Sequence, residues 1–160
     1  MEYTVRSASL DDLPILTAFT LAEARAAEGR ELDLERVQSG VRTGLTDPQR
    51  ARYWVLVDET GNPAGSISVV REWSDWQAGD YWWVQSVYLV PEVRGRGLLS
   101  KLLAAVKVAA VQAGALELRL YVHRDNQNAV RAYRRAGFAA TAYEIFTLPL
   151  GEGTHGEHFS

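Results

Sequence analysis

Residues Val84–Leu103 read VQSVYLVPEVRGRGLLSKLL, and this stretch constrains the fold more than any other. An apolar run rich in β-branched and aromatic residues ends at Pro91. A basic glycine turn follows at Arg94–Gly97, and leucines at helical spacing begin directly after it. Strand, glycine turn and helix N-terminus together make an anion site. Glycine lets the backbone come close to a phosphate, and the unpaired N–H groups of the first helical turn point at it. The expected occupant is a phosphorylated cofactor.

Composition narrows the class. A chain of 160 residues is expected to form one domain, residues 1–150, with a core of its own. The formal net charge of −3 offers no broad basic field, so no nucleic-acid partner is expected. Arg94, Arg96, Lys101 and Lys107 make one region locally positive, which suits a small polyanion. The chain has no cysteine, which excludes disulfide frameworks, zinc–thiolate sites and thiol nucleophiles. No apolar run has membrane-spanning length and MEYTVRSASL lacks a signal-peptide pattern, so a cytoplasmic setting without a membrane partner is expected.

Periodicity supplies the elements. Tyr3–Arg6 alternates as a short strand, and Ser9 or Asp11 can cap the helix that runs through Leu13, Leu16, Phe19 and Ala22 to about Gly29. Leu34, Val37, Val41 and Leu45 form a second helical stripe, closed by Asp47-Pro48. Tyr53–Val57 and Gly65–Arg71 read as an antiparallel hairpin about the turn Asp58–Pro63. Trp82–Leu89 is a long strand, Leu98–Ala110 a helix ending at Gly114, and Leu116–Val122 another strand. Asn128–Ala136 reads as a helix stopped by Gly137, and Tyr143–Leu148 as a last strand. The fold class is α/β (α+β), in the order β-α-α-β-β-β-α-β-α-β. The unit 82–122 is β-α-β, so its strands should be parallel in an otherwise antiparallel sheet. The tail, residues 151–160, is glycine-rich and expected to be flexible.

Two familiar phosphate loops do not fit. A P-loop needs G-x-x-x-x-G-K-[ST], which is absent. A dinucleotide loop needs G-x-G-x-x-G and an acid about twenty residues on. Here Ser100 stands at the third glycine place, and Glu117 opens its strand instead of ending it. Arg94-Gly95-Arg96-Gly97 after Leu89-Val90-Pro91-Glu92, followed by Asn126–Phe138 as N-x-x-A-x-x-x-Y-x-x-x-G-F, resembles the GNAT superfamily of N-acetyltransferases. The resemblance covers about residues 3–148, with its specific motifs within 82–138. EWSDW (Glu72–Trp76) and WWVQSVY (Trp82–Tyr88) look like a subgroup of bacterial members, mostly without a settled acceptor. It implies a mixed sheet of six or seven strands with about four helices, acetyl-coenzyme A as cofactor, no metal, and a small-molecule or peptide amine as acceptor. A homodimer is common among relatives. Leu99 departs from the family's R-x-x-G-x-G/A, where a glycine or alanine ends the motif. Either it weakens cofactor binding, or its side chain enters the core beside Leu102 and Leu103 and only its N–H meets phosphate. The helical spacing favours the second.

Acetyl transfer needs the cofactor held, the amine deprotonated, the oxyanion stabilised and the thiolate protonated. Holding falls to the N–H groups of Arg94, Gly95, Arg96, Gly97, Leu98, Leu99 and Ser100, with both arginine side chains adding charge. By resemblance, the strand edge Val87, Tyr88, Leu89 and Val90 is splayed from its parallel neighbour and pairs with the pantetheine arm, and Leu89 N–H is the oxyanion donor. Tyr133 is the expected acid for the thiolate, although a place in the core would also suit it. Asn126 can contact the pantetheine or cap a helix. For the base, Glu72 beside Trp73 and Trp76 is the candidate, with Asp75 near it and a water relay as the other option. Gln85 is no base. Glu23 and Glu28 can face the acceptor cleft or simply the solvent. The group Trp73, Trp76, Tyr81, Trp82 and Trp83 can line an acceptor site, a core or a dimer contact, and Trp82 and Trp83 should point to opposite faces. Nothing in the spacing of His123, His155 and His158 brings them together as metal ligands. Without cysteine, transfer is expected by direct attack in a ternary complex. The rival readings are a non-catalytic acyl-coenzyme A sensor and a nucleotide-binding module.

Overall fold

Residues 1–151 are described by a computed structural model. Five strands form one sheet in the order β1-β2-β3-β4-β5: β1 Tyr3–Ser7, β2 Ala51–Asp58, β3 Pro63–Ser74, β4 Gly79–Leu89 and β5 Leu118–Arg119. Four helices accompany it: α1 Leu13–Glu28, α2 Leu34–Thr46, α3 Leu98–Ala113 and α4 Gln127–Arg135. β1 to β4 run antiparallel, and β4 pairs with β5 in parallel, as the β-α-β reading requires. No helix among the described residues is long and apolar enough to cross a membrane. Of the expected tail, all but Gly151 lies outside the described residues.

The sheet packs a core on each face. Leu56, Ile67, Trp82, Leu102 and Val106 centre the larger one, under α3. Leu13, Leu16, Val41, Val55 and Val57 form the smaller one, under α1 and α2. A buried carboxylate fixes where α1 starts. Asp12 accepts 2.9 Å bonds from both terminal nitrogens of Arg6 on β1 and a 2.8 Å bond from Ser9 N–H. The Arg6 hydrogen bonds hold the Asp12 carboxyl below its ordinary range. Gly29, at φ 64°, ends the helix in the left-handed conformation.

The sheet is smaller than the expected six or seven strands, and the shortfall lies at one edge. β5 pairs over two positions, Trp82 with Leu118 and Trp83 with Arg119. Beyond them β4 carries a bulge. Ser68 faces Ser86 and Val69 faces Val84, so Gln85 is an extra residue on β4. A bulge bends its strand and re-aims the edge that follows, and there β4 and β5 part. Leu120 and Val122 still pack half-buried on the core, but without a ladder. The expected strand Tyr143–Leu148 is likewise not a strand. Two residues of β5 are too short a template for a further neighbour, and Tyr143, Phe146 and Leu148 stay 81–88% exposed.

Gly65 sets the spacing of β3 and β4. A Cβ there would lie 2.5 Å from the Tyr88 carbonyl oxygen and 2.8 Å from Leu89 Cδ2. Gly65→Ala must therefore push the two strands apart, and a loss of about 1–3 kcal/mol is expected, as for overpacking generally. Urea unfolding checks this; unchanged stability would mean that the strands absorb the methyl group freely.

Candidate active site

The parting of β4 from β5 exposes backbone that a sheet normally consumes. Val90 N–H donates to Ala64 O at 2.9 Å, so by antiparallel alternation the N–H groups of Val87 and Leu89 point away from β3, towards the parted edge. On that edge Val87 N–H donates to Glu23 Oε2 of α1 at 3.0 Å. Leu89 O accepts from Arg94 Nε at 2.9 Å. Leu89 N–H is left with no partner among the described residues. Leu89 is half-buried, and its free donor lies a few residues before the glycine turn.

The turn has the form the sequence predicts. Gly95 and Gly97 take φ of 78° and 75°, a region that costs other residues about 1–2 kcal/mol. A Cβ at either would meet nothing within 4 Å, so both face open space. Helix α3 begins at Leu98 with no side-chain cap and no acidic residue in its first turn, so no side chain competes for its N-terminal N–H groups. Leu98 is buried, and Leu99 packs half-buried on the main core, which leaves its N–H at the turn. Ser100 N–H turns back to Gly97 O at 3.2 Å. The arginines divide their tasks. Arg94 braces the end of β4 and lies over the Tyr88 ring, 5.4 Å from its centroid. Arg96, with Leu98 and Lys101, lines a cleft shared with Met1–Tyr3.

Helix α4 brings Tyr133 to the same place. Its ring is 9% exposed, in the core that Val87, Leu89 and Val90 also join, and meets Phe138 edge-on at 5.8 Å. Burial, and then the charge of Glu23, push the phenol up to about 12. Its hydroxyl makes no hydrogen bond to a described residue. Asn126 is the N-cap of α4, its Oδ1 accepting from Ala129 N–H at 3.3 Å.

Glu23 is the residue that the sequence reading undervalued. It falls seven residues after Leu16 and four after Phe19, on the apolar stripe of α1, and an acid on a core face is the clue that was legible. Burial pushes its carboxyl up to about 7, against the stabilising bonds from Val87 N–H and the Ser86 hydroxyl; Glu28 adds to the rise. Raised above its ordinary 4.5, the group stabilises the fold fully below about pH 4.5 and loses that contribution as pH climbs through about 7. Melting curves across that window are expected to fall in the wild type and to flatten in Glu23→Gln. Asp12, with a lowered pKa, acts with the opposite sign in a more acidic window.

Glu72 stands elsewhere. It pairs in register with Tyr81, six residues before Val87 on β4, or roughly 20 Å along the strand. Its Oε1 accepts from Trp83 Nε1 at 2.7 Å, and Arg119 lies 3.8 Å away. Arg119 itself stacks 3.4 Å from the Tyr81 ring centroid. Glu72 thus belongs to a surface cluster with Trp83 and Arg119, far from the parted edge. The aromatic group does not converge either. Trp82 is 1% exposed in the core, whereas Trp73 and Trp76 are 65% and 90% exposed.

Known proteins resemble this chain in sequence and fold. Residues 16–138 match the model of the acetyltransferase (GNAT) family. The chain is 36% identical over 111 residues to a mycothiol acetyltransferase of Corynebacterium aurimucosum, covering 67% of this chain and 36% of that protein, so it spans about a third of that relative's length. It is 30% identical over 120 residues to an aminoalkylphosphonate N-acetyltransferase of Salmonella typhimurium, covering 75% of this chain and 76% of the relative. A solved structure from Clostridium difficile 630, described as a possible acetyltransferase, superposes with a TM-score of 0.87 at 29% identity, covering 95% of this chain and all of the other.

Proposed function

The chain belongs to the acetyltransferase (GNAT) family, and from that premise we propose that it moves an acetyl group from acetyl-coenzyme A to a primary amine by direct attack in a ternary complex. The single observation that carries this reading is the unpartnered Leu89 N–H on the parted edge of β4, between an uncapped helix N-terminus and a buried tyrosine.

The residues present fit the cofactor. N–H groups of the turn and of the first turn of α3 would hold its pyrophosphate, with Arg96 adding charge at the rim. On the parted edge of β4 the carbonyl of Val87, whose N–H is taken by Glu23, would accept from the cofactor's amide arm, and Asn126 contributes by ordering the start of α4. When bound, the cofactor supplies an activated acyl group and a thiol leaving group. Leu89 N–H would donate to the carbonyl oxygen as negative charge grows on it, an interaction worth most where the donor is fixed beforehand. Tyr133 would hold a proton for the departing sulfur, and its raised pKa keeps it protonated throughout the neutral range.

An acceptor panel with acetyl-coenzyme A, read by thiol release, tests the proposal. The panel spans polyamines, amino acids, amine antibiotics, aminoalkylphosphonates and peptides with free N-termini or lysines. Thiol release with any of them supports acetyl transfer. Binding of coenzyme A with silence across the panel favours a sensor, and no binding at all overturns the reading of the loop.

A further inference from the structure

We propose that Glu23 of α1, rather than Glu72, is the base that takes the proton from the acceptor amine, an inference that rests on the acetyl-transfer reading above. Its carboxylate is delivered to the parted edge of β4 and held there by Val87 N–H at 3.0 Å, two residues from the unpartnered Leu89 N–H. Phe19, one turn earlier on α1, and Tyr88 pack together with ring centroids 5.2 Å apart.

The polar groups near the carboxylate come from three helices and strands. Glu28 stands on α1, Ser86 on β4 and Tyr133 on α4, while Arg94 lies over the Tyr88 ring. Arg94 is engaged with Leu89 O and the Tyr88 ring, and Glu23 forms no ion pair among the described residues. A half-buried carboxylate with no ion-pair partner, held on a parted strand edge, is suited to receive a proton. A free amine near pKa 10.4 faces an ordinary carboxylate across about six powers of ten, and a carboxylate at about 7 across about three.

The protons balance. Glu23 takes one proton from the ammonium, leaving the lone pair on nitrogen. As the N–C bond forms and the C–S bond breaks, Tyr133 gives its proton to sulfur and recovers the second one lost by nitrogen. Glu23 then returns its proton to solvent, so one proton is released per acetyl group. The two residues are also coupled. A proton on Glu23 removes the charge that helps to hold the Tyr133 pKa up, so accepting a proton from the amine readies the acid.

Glu23→Gln keeps an oxygen for Val87 N–H, so its fold and its affinity for coenzyme A by calorimetry are expected to match the wild type. Wild-type kcat/KM for an amine acceptor should rise with pH along a limb near 7. The variant should lose that limb and about a hundredfold or more in kcat/KM. Carbon-13 NMR should show one glutamate carboxyl titrating near 7 that vanishes in the variant, and Glu23→Ala should regain turnover with added formate. An active wild type whose limb and rate survive in Glu23→Gln overturns Glu23 as the base and leaves acetyl transfer standing. So does a larger loss in Glu72→Gln. A wild type that binds coenzyme A but acetylates nothing overturns the acetyl-transfer reading, and the base with it.

Discussion

Tyr133→Phe is expected to bind coenzyme A as the wild type does and to lose about a hundredfold in turnover, the scale of a missing general acid. The substitution removes one hydroxyl from a ring that is 9% exposed and packed edge-on against Phe138. That hydroxyl bonds to no other described residue, so its loss strands no partner and opens no appreciable cavity. Packing alone would therefore leave the variant folded and active. A loss of turnover without loss of binding identifies the proton. The loss should shrink with substrates whose leaving thiol is more acidic, because a better leaving group needs less help from an acid. Calorimetry and thiol release separate the two effects, and unchanged turnover would remove Tyr133 from the reaction.

Trp82→Ala is expected to cost about 3–5 kcal/mol of stability, the range for deleting a large buried aromatic. Against a typical total of about 5–15 kcal/mol, that is a large share. Trp82 is 1% exposed, and the guanidinium groups of Arg52 and Arg71 lie 5.7 Å and 5.6 Å from its ring. Its backbone also belongs to the short parallel ladder just before the strands part, with Trp82 N–H donating to Glu117 O at 3.0 Å. Removing the ring should thus loosen the fork as well as the core, and coenzyme A affinity should fall with stability. Trp82→Phe should retain most of both. Denaturant unfolding of the two variants checks the expectation, and a loss under about 1 kcal/mol for alanine would mean the ring is not a core anchor.

Local chemistry explains what could be read in advance. The hairpin of β2 and β3, the helices α1 to α4 and the parallel β4–β5 pair follow from hydrophobic period and turn residues, which act over a few positions. Gly29, Gly95, Gly97 and Gly114 all take the left-handed conformation that their places as stops and turns imply. Tyr133 and the turn come together because a motif specified both. Where the two candidate acids lie was not legible, for a different reason. Glu72 and Glu23 are each one acid among many, and a residue's distance from a strand edge depends on how a helix lies across the sheet. The last strand failed for a related reason. The aromatic and β-branched run 143–148 marks a segment able to pair, but pairing needs a neighbour of sufficient length, and β5 offers two residues.

By itself the sequence determined a strand, a glycine turn and a helix around Val84–Leu103, and hence a backbone anion site, because those residue types restrict φ and ψ locally. It also determined the family, through residues whose spacing along one chain is their meaning. The splay of β4 from β5 was implied by the resemblance, but tertiary structure alone decided that a bulge at Gln85 would mark where it begins. It alone decided that α1 would place Glu23 on Val87 N–H, in surroundings dry enough to push its carboxyl up to about 7. Burial and proximity across 64 residues of chain are properties of packing, and no local pattern encodes them.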